Sequence, residues 1–453
     1  MRYSSAILAG GAVTAVQATS AFCSDAVQDL VGNFFCPGAV KQIIYDGLDI
    51  AGSYREVSTM SNDGTCTYET KDYSGPIAPY DEGLSMHFRG PLELLNVAVY
   101  HPTSSSSKKR EAAPKASHSK RHGHGHQHLH KKHHEEAKRA DMVTAVIDGV
   151  TQTWENDWFG GATSTADSST GYATAAAVAA TSEKTSDDSS SSKTDSSSSS
   201  TASIAAGDFE RTAYYCADDG TADGLTFLAN VGDSSVSGTW DTTWGSSLAY
   251  VSDDGSSCAS SPTVLKKTTL TDGQEIAIFS DNECDDSCGT VRPDSVAYKG
   301  FEGSTKVFIA EFTMPDTGKT ADGTNMPAFW MLNAKIPRTG QYTSCSCWEG
   351  DNSSPNEGGC GELDVVELLT PGATRAKSTF HFANGVGDSH YFDRPTESSM
   401  KVAVVLDASS STVSIKVLGD DFSFPTSLTS DDVNAMVQEE SDVSLFSLMS
   451  FAA

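Results

Sequence analysis

The sequence predicts an all-β protein whose C-terminal half folds as a β-jelly roll or sandwich. Two observations support this class. Short apolar runs bounded by turn residues recur through residues 208–425, and helical periodicity is missing until residues 430–438, where Ser430 is placed to cap a short helix. Such a fold can bend one sheet into a cleft for a chain-like ligand. The runs are residues 246–251, 275–279, 306–314, 327–332, 362–369, 376–382, 401–406 and 413–418.

The N-terminus predicts export from the cell. Residues 1–21 contain a single Arg2, then a short apolar run interrupted by glycines, and small residues at Ala18 and Ala21. This is the pattern of a secretory signal peptide. The run is too short to cross a bilayer, and no later segment has eighteen unbroken apolar residues. We therefore expect a protein that is secreted, without a membrane span, and either soluble or associated with a cell wall.

The charge excludes several kinds of partner. The formal net charge is −29 at pH 7, and the isoelectric point is about 4.6. So acidic a chain does not favour nucleic acid or an anionic membrane as partner, but it is compatible with a neutral ligand. We expect no cofactor and no resident metal. Nothing in the sequence sets the oligomeric state, and a monomer is the expectation.

The ten cysteines fit an oxidising compartment, where thiols form disulfides. Three lie before residue 103 and seven after residue 207, so each half holds an odd number. Either one bridge joins the halves or each half keeps a free thiol. The close pairs 284/288 and 345/347 could also form a zinc site, but disulfides that hold loops are favoured. The cysteines are Cys23, Cys36, Cys66, Cys216, Cys258, Cys284, Cys288, Cys345, Cys347 and Cys360.

The chain divides into segments by composition. Strand-like runs separated by glycine turns predict a small N-terminal β module over residues 22–102. Residues 103–206 are low-complexity and predict a disordered linker, with a short ordered piece near 140–161 that contains Trp154 and Trp158. Residues 207–453 form the predicted catalytic β-jelly-roll domain.

The linker has three features of its own. Eight histidines between His118 and His134 could chelate a transition metal, although an exposed spacer is the favoured interpretation. Dibasic pairs such as Lys109-Arg110 predict processing by a kexin-type protease, which would cut the chain in two. The serine- and threonine-rich residues 162–206 resemble a mucin-like, O-glycosylated stalk.

The acidic stretch Glu362-Leu363-Asp364-Val365-Val366-Glu367 carries the functional hypothesis. In a regular strand Glu362 and Asp364 share a face, whereas Glu367 points the other way. One β-bulge near Val365 and Val366 would place all three carboxylates in a row on one face. Such a row suits a glycosidase: Glu362 is the predicted nucleophile, Glu367 the acid/base, and Asp364 the residue that holds its neighbour and separates the two pKa values. An edge strand with one solvated acidic face is the alternative.

Several neighbours of this stretch are candidate site residues. Trp330 could be core or a sugar-stacking wall, and His381 could hold one carboxylate or serve only the structure. Trp348 is a weaker candidate for an outer sugar contact, as are Trp240 and Trp244. Asn352 begins the sequon Asn352-Ser353-Ser354 and is a predicted glycosylation site. The acidic loop near Asp281–Asp286 could hold Ca²⁺, although a solvated turn pinned by a disulfide is favoured.

The order of these motifs resembles a known catalytic core. Pro327-Ala328-Phe329-Trp330, then Gly361-Glu362-Leu363-Asp364-Val365-Val366-Glu367, then a strand ending in His381 is similar to the core of family 16 glycoside hydrolases, the laminarinase-like jelly rolls. The whole arrangement, with a Phe-Arg-Gly-Pro segment at residues 88–91, resembles the fungal target-of-SBF cell-wall proteins. The resemblance implies the same roles for the three carboxylates, Trp330 as sugar-contacting wall, and His381 beside the acids. An insertion at residues 339–359 departs from the pattern.

The sequence therefore predicts a secreted cell-wall glycosidase. The expected activity is that of a retaining endo-β-1,3-glucanase in fungal wall remodelling, with β-glucan as partner; the substrate follows from the resemblance. Two alternatives stay open. One is a non-catalytic structural wall protein that binds glucan, and the other is a glucan transglycosylase, which differs only in what reaches the glycosyl-enzyme first.

Overall fold

The computed structural model describes the chain in several stretches. The longer ones are residues 33–61, 63–103, 208–348, 359–381 and 389–451, and the shorter ones are 18–20, 23, 26–29, 142–147, 150–155 and 386–387. Most of the predicted signal peptide, the histidine tract, the dibasic sites, the stalk, Trp158 and Asn352 lie outside the described residues.

Strands dominate the described residues. Those before residue 156 are β1 Ala18–Ser20, β2 Val27–Gln28, β3 Phe34–Phe35, β4 Gln42–Asp46, β5 Gly52–Met60, β6 Cys66–Tyr73, β7 Leu84–Arg89, β8 Leu92–Pro102, β9 Met142–Ile147 and β10 Val150–Glu155. β9 pairs with β10, within the short piece predicted to be ordered at residues 140–161.

The strands after residue 207 build most of the two large sheets. They are β11 Phe209–Cys216, β12 Thr221–Asp223, β13 Leu225–Ala229, β14 Trp240–Asp241, β15 Gly245–Ser246, β16 Ala249–Tyr250, β17 Thr269–Leu270, β18 Glu275–Ser280, β19 Lys306–Thr313, β20 Ala328–Asn333, β21 Glu362–Glu367, β22 Arg375–His381, β23 Val386–Gly387, β24 Phe392–Asp393, β25 Met400–Asp407, β26 Thr412–Val417, β27 Ser427–Leu428 and β28 Phe446–Phe451.

The two large sheets pack face to face as a β-sandwich, which confirms the predicted all-β class. Sheet I has the order β1-β28-β4-β26-β25-β19-β8-β11-β12, and sheet II has the order β16-β13-β18-β7-β20-β21-β22-β23. The core between them is formed by inward-facing apolar side chains of both sheets. Examples from sheet I are Phe308, Phe312 and Val404, and examples from sheet II are Phe88, Phe329, Met331 and Leu363.

Two short helices cover outer faces of the sandwich. α1 is Lys335–Thr339 and follows β20, whereas α2 is Ser430–Val437 and packs on sheet I. The predicted helix at residues 430–438 is present, but its N-cap is Thr429, one residue before the predicted Ser430, because Thr429 and Asp432 form a capping box. Within the described ranges no helix is long and apolar enough to cross a membrane.

The prediction that residues 22–102 fold as a separate β module is wrong, because β4, β7 and β8 of this segment belong to the two large sheets. β4 lies between β28 and β26, β8 lies between β19 and β11, and β7 lies between β18 and β20. Strands from residues 42–102 therefore stand inside both sheets and bury their apolar sides in the common core. The two segments separated by the linker form one sandwich. β1 falls inside the predicted signal peptide and pairs with β28 at the edge of sheet I.

Four disulfides are formed, and one of them joins the two halves of the chain. Cys66 of β6 is bonded to Cys345. Of the two alternatives that the odd cysteine counts left open, the structure therefore shows the bridge between the halves. The remaining bonds are local and connect Cys23 to Cys36, Cys284 to Cys288, and Cys347 to Cys360. All four cysteines of the close pairs 284/288 and 345/347 are thus in disulfides, as favoured over a zinc site. Cys216 and Cys258 are free thiols.

Candidate active site

The predicted bulge is present in β21. On one side Phe329 pairs with Val366 and Trp330 pairs with Asp364, which leaves Val365 as the extra residue. On the other side three steps of β21, from Asp364 to Glu367, oppose two steps of β22. Both Val365 and Val366 consequently point into the core. The bulge thereby turns Glu367 to the face that carries Glu362 and Asp364.

The face of sheet II that points away from the core is called the site face here. Glu362 is partly exposed on it, whereas Asp364 and Glu367 are 4% and 1% exposed. Asp364 and Glu367 lie close enough on this face for the charge of Asp364 to raise the pKa of Glu367. The alternative of a solvated acidic strand does not fit carboxylates that are this deeply buried.

Burial raises the pKa of every carboxyl in the row. It is the largest cause for Glu362, and the charge of Asp364 adds to it. Burial also raises the pKa of Asp364, and together with the charge of Asp364 it raises that of Glu367 well above its ordinary value. The row therefore retains protons at pH values where isolated carboxyls are ionised. It titrates as a coupled set, which is the condition a proton donor beside an ionised nucleophile needs.

Two of the predicted neighbours contact the row directly. The indole N–H of Trp348 donates to Glu362 Oε2, and His381 Nε2 lies 2.9 Å from Asp364 Oδ2. Trp348 was expected as an outer sugar contact, but it reaches the predicted nucleophile itself. The hydrogen bond from Trp348 and the proximity of His381 both oppose the rise in the pKa of Glu362.

Trp330 lies beside the row but offers little surface. Its cross-strand partner is Asp364, so the ring is on the site face, yet it is only 5% exposed. One side of the ring stacks on His87 at a centroid distance of 5.2 Å, and the guanidinium of Arg89 lies 5.6 Å from the ring centroid. The structure therefore shows Trp330 supporting its neighbours, and sugar stacking on it stays a prediction.

β7 supplies site residues that the sequence interpretation missed. Arg89 Nη2 lies 3.2 Å from Glu367 Oε1, and Arg89 Nε donates to the Met326 carbonyl. His87 is fully buried. Its Nε2 lies 2.9 Å from the Ser85 hydroxyl, and its Nδ1 lies 2.9 Å from Glu275 Oε1. A signal for these residues exists in the sequence. β7 alternates strictly between apolar and polar side chains, which predicts a polar face on that strand.

A hairpin from the N-terminal half stands against the site face. Tyr54 of β5 and Tyr73 of β6 share an apolar cluster with Trp330, Leu332 and Trp348. The tip of this hairpin is fixed by the Cys66–Cys345 disulfide and by the Trp244 N–H, which donates to the Ser61 carbonyl. Trp244 is thus a buried structural residue.

The insertion at residues 339–359 is tied down on both sides of Trp348. Cys345 is bonded to Cys66, and Cys347 is bonded to Cys360, directly before the acidic strand. These bonds fix the backbone from which the Trp348 side chain reaches Glu362. The sequon at Asn352 follows Trp348 but lies outside the described residues, so glycosylation stays a prediction.

Metal binding finds no support in the part of the chain that the structure describes, where no group of three or more histidine, cysteine, aspartate or glutamate side chains could hold an ion. In the acidic loop, Asp285 accepts hydrogen bonds from Ser287 and pairs with Lys299 at 2.9 Å. The favoured interpretation of this loop, a turn held by the Cys284–Cys288 disulfide, agrees with these contacts.

Two family models match the chain. One is described as cell wall protein YJL171C/Tos1, C-terminal, and matches residues 207–436; the other is described as cell wall protein YJL171C/Tos1, N-terminal, and matches residues 41–102. The chain belongs to this family. The resemblance to target-of-SBF cell-wall proteins is confirmed, whereas similarity to family 16 glycoside hydrolases stays a prediction.

Relatives from this family align with nearly the whole chain. A protein of Arthroderma benhamiae named "probable circularly permuted 1,3-beta-glucanase" is 36% identical over 434 residues, which cover 92% of this chain and 94% of that protein. Proteins named "probable circularly permuted 1,3-beta-glucanase TOS1" are similar as well. The one from Saccharomyces cerevisiae is 38% identical over 89% of this chain and 91% of its own length. The one from Candida albicans is 36% identical over 98% of this chain and 99% of its own length. No solved structure matches the chain.

Proposed function

We propose that this protein is a secreted cell-wall glycosidase, a retaining endo-β-1,3-glucanase that acts in glucan remodelling. One observation carries the proposal: the bulge in β21 sets three carboxylates with raised pKa values in a row on the site face, two of them buried. The names of the relatives in the Tos1 family support the substrate class.

In the proposed mechanism Glu362 attacks the anomeric carbon of the bound glucan. The bond to the leaving sugar oxygen breaks, and the carboxyl of Glu367 gives that oxygen its proton. The product of this step is a glycosyl ester on Glu362. The ionised Glu367 then takes a proton from water, which attacks the anomeric carbon and releases Glu362 with overall retention.

The contacts of each carboxylate suit these separate roles. Glu362 is the most exposed of the three, and it accepts the Trp348 N–H, which stabilises the ionised form that a nucleophile requires. Glu367 is the most deeply buried, and burial raises its pKa, as a proton donor requires. Asp364 precedes the bulge on the same face and is close enough for its charge to raise the pKa of Glu367. Asp364 is itself held by His381.

The strand order is also consistent with the word "permuted" in the relatives' names. β7 comes from the N-terminal half, yet it lies between β18 and β20 in the sheet that carries the acids. We therefore assign both halves to one catalytic unit.

The proposal is tested on laminarin with the Glu362→Gln variant. Reducing-sugar release is expected to fall at least roughly 10³-fold, because the amide cannot form the glycosyl ester. Glu210→Gln is the matched control, since Glu210 is an exposed strand glutamate on sheet I. Retained activity in Glu362→Gln would overturn the assignment.

The separate roles of the two glutamates are tested with small nucleophiles. With an activated aryl β-laminarioligosaccharide, azide should rescue Glu362→Ala and give the α-glycosyl azide. It should rescue Glu367→Ala through the glycosyl-enzyme and give the β-glycosyl azide. Product analysis on β-1,3-, mixed-linkage and β-1,6-glucans then fixes the linkage and separates hydrolysis from transglycosylation. Binding without any cleavage by the wild type would instead favour a structural glucan-binding protein.

A further inference from the structure

A fourth carboxylate lies on the site face, three strands away from the acidic row. Glu275 of β18 pairs in register with Arg89 of β7. Arg89 pairs with Ala328 of β20, which pairs with Glu367 of β21. Three strand spacings separate the backbones of Glu275 and Glu367 by roughly 14 Å. Glu275 is thus beyond the reacting bond but on the same surface.

The contacts of Glu275 show that it is an anchor and not a proton donor. His87 Nδ1 and Gln341 Nε2 lie 2.9 and 2.8 Å from Oε1, and the Tyr342 hydroxyl donates to Oε2. Burial raises the pKa of Glu275, but these hydrogen bonds outweigh burial and hold the pKa below its ordinary value. Glu275 therefore stays ionised under conditions where the acidic row retains protons.

Tyr342 is held by its hydroxyl, yet about half of the residue stays exposed. The side chain is 49% exposed and, with Trp240, is one of two exposed large aromatic residues in the described part of the chain. Its hydroxyl donates to Glu275, the cross-strand neighbour of Arg89, and Arg89 contacts Glu367, so Tyr342 lies on the side of the acidic row. The adjacent Gln341 is fixed too, because Asn230 Nδ2 donates to its Oε1 at 2.9 Å.

We propose that Tyr342, fixed by Glu275, is a stacking platform for a glucosyl unit of a bound β-glucan, remote from the unit that reacts. This inference rests on the proposed function for the identity of the ligand. An aromatic ring stacks on the apolar face of a glucose ring, and a ring whose hydroxyl is already held loses little further conformational entropy when the sugar binds. The insertion at residues 339–359 thereby supplies a binding subsite to the site face.

The test measures binding without cleavage, in the Glu362→Gln background, by calorimetry with laminaribiose and laminarihexaose. Adding Tyr342→Ala is expected to weaken binding of the hexaose about tenfold and leave the biose unchanged. Tyr342→Phe keeps the ring but loses its anchor and should weaken the hexaose only about threefold. Val264→Ala is the control, because Val264 is also an exposed apolar residue but belongs to a different segment. Its neighbour Leu265 accepts a hydrogen bond from the Tyr215 hydroxyl of sheet I.

Each outcome decides the inference. An unchanged affinity for the hexaose, or an equal loss for both oligosaccharides, would overturn it. Unaltered thermal unfolding of Tyr342→Ala shows that a loss is not due to misfolding. Because cleavage is not measured, a wild-type protein that fails to hydrolyse laminarin refutes the proposed function and leaves the binding result interpretable. A hexaose that does not bind even the Glu362→Gln parent would count against both proposals.

Discussion

The guanidinium of Arg89 lies 3.2 Å from the carboxylate of Glu367, although 278 residues separate the two in the chain. Both side chains are mostly buried, with exposures of 20% and 2%. The contact is possible because β7, β20 and β21 are neighbours in sheet II. A residue of the N-terminal half therefore acts directly on the proposed proton donor.

Replacing Arg89 by Gln should shift the pH dependence of activity. Burial and Asp364 raise the pKa of Glu367, whereas Arg89 lowers it. Loss of Arg89 should raise this pKa further, so the alkaline limb of the kcat/KM profile should move to higher pH. The measurement is a pH–rate profile on laminarin. Arg211→Gln is the control, because Arg211 stacks on Tyr214 of sheet I; an unmoved limb in Arg89→Gln would contradict the argument.

The Glu362→Gln variant should be more stable than the wild type at neutral pH. The pKa of Glu362 is raised in the folded state, so the folded protein binds more protons than the unfolded chain, and stability falls as the pH rises above about 4. Removing this charge should gain about 1–2 kcal/mol near pH 7. Urea unfolding at several pH values checks this, and the gain should shrink towards pH 4. A loss of stability at pH 7 would show that the Trp348 contact outweighs the repulsion.

Glu82 should be a strong anchor of the β5–β6 hairpin. It accepts from the Tyr54 hydroxyl at 2.9 Å, and it lies 2.7 Å from Lys71, 3.0 Å from Lys335 and 2.8 Å from Asn333 Nδ2. Glu82→Gln should cost about 2–3 kcal/mol of unfolding free energy, because Lys335, whose side chain is 15% exposed, and the more exposed Lys71 keep only Glu56 as a carboxylate partner. Lys267→Gln, which removes an exposed pair with Asp218, should leave the unfolding free energy nearly unchanged.

The pH dependence of the Glu82 effect has a defined sign. Burial raises its pKa, but Lys335, Lys71 and Asn333 outweigh burial and lower it to about 2. The stabilisation is therefore present above the unfolded pKa, roughly 4.3, and is lost as the pH falls from there towards 2. Denaturant melts should show the wild type and Glu82→Gln converging over this window. A constant difference would mean that the effect is packing and not charge.

Cutting the linker should not separate the two halves. A specific protease site placed within residues 162–206 would give two pieces whose strands still pair, since β7 and β8 lie between strands of the other piece. Gel filtration of the cut protein should give one peak with laminarin activity. On denaturing gels the pieces should stay joined through Cys66–Cys345 until reductant is added. On the same denaturing gels, the pieces of the double variant Cys66→Ser/Cys345→Ser should separate without reductant. Dissociation of the cut wild type under native conditions would refute the single-sandwich arrangement.

The acidic row is the part of the site that sequence patterning could predict. The period of two in a strand fixes which acids share a face, and the requirement that Val365 and Val366 both be buried implies one extra residue. The bulge in the β20–β21–β22 pairing agrees with that expectation. For Trp348 and His381 the sequence predicts only a place near the row. It does not predict which carboxylate each of them contacts, because hydrogen-bond partners depend on the path of the loops.

Arg89, His87 and Glu275 were missed because strand order is not a local property. The alternation in β7 shows that Ser85, His87 and Arg89 share a face, but it does not tell which strand lies beside them. Residues 22–102 were predicted as a module of their own for the same reason. Their apolar faces are completed only by strands more than a hundred residues away.

The sequence by itself determined the all-β class and the alternation of acids along one strand, because both follow from side-chain periodicity. It predicted the bulge and the disulfides while leaving alternatives to each open. Only the tertiary structure decided that both halves form one sandwich, that Cys66 pairs with Cys345, and that Arg89 contacts Glu367. These features depend on which strands become neighbours. That choice is made by the summed burial of apolar faces across the whole chain, and no short stretch of sequence records it.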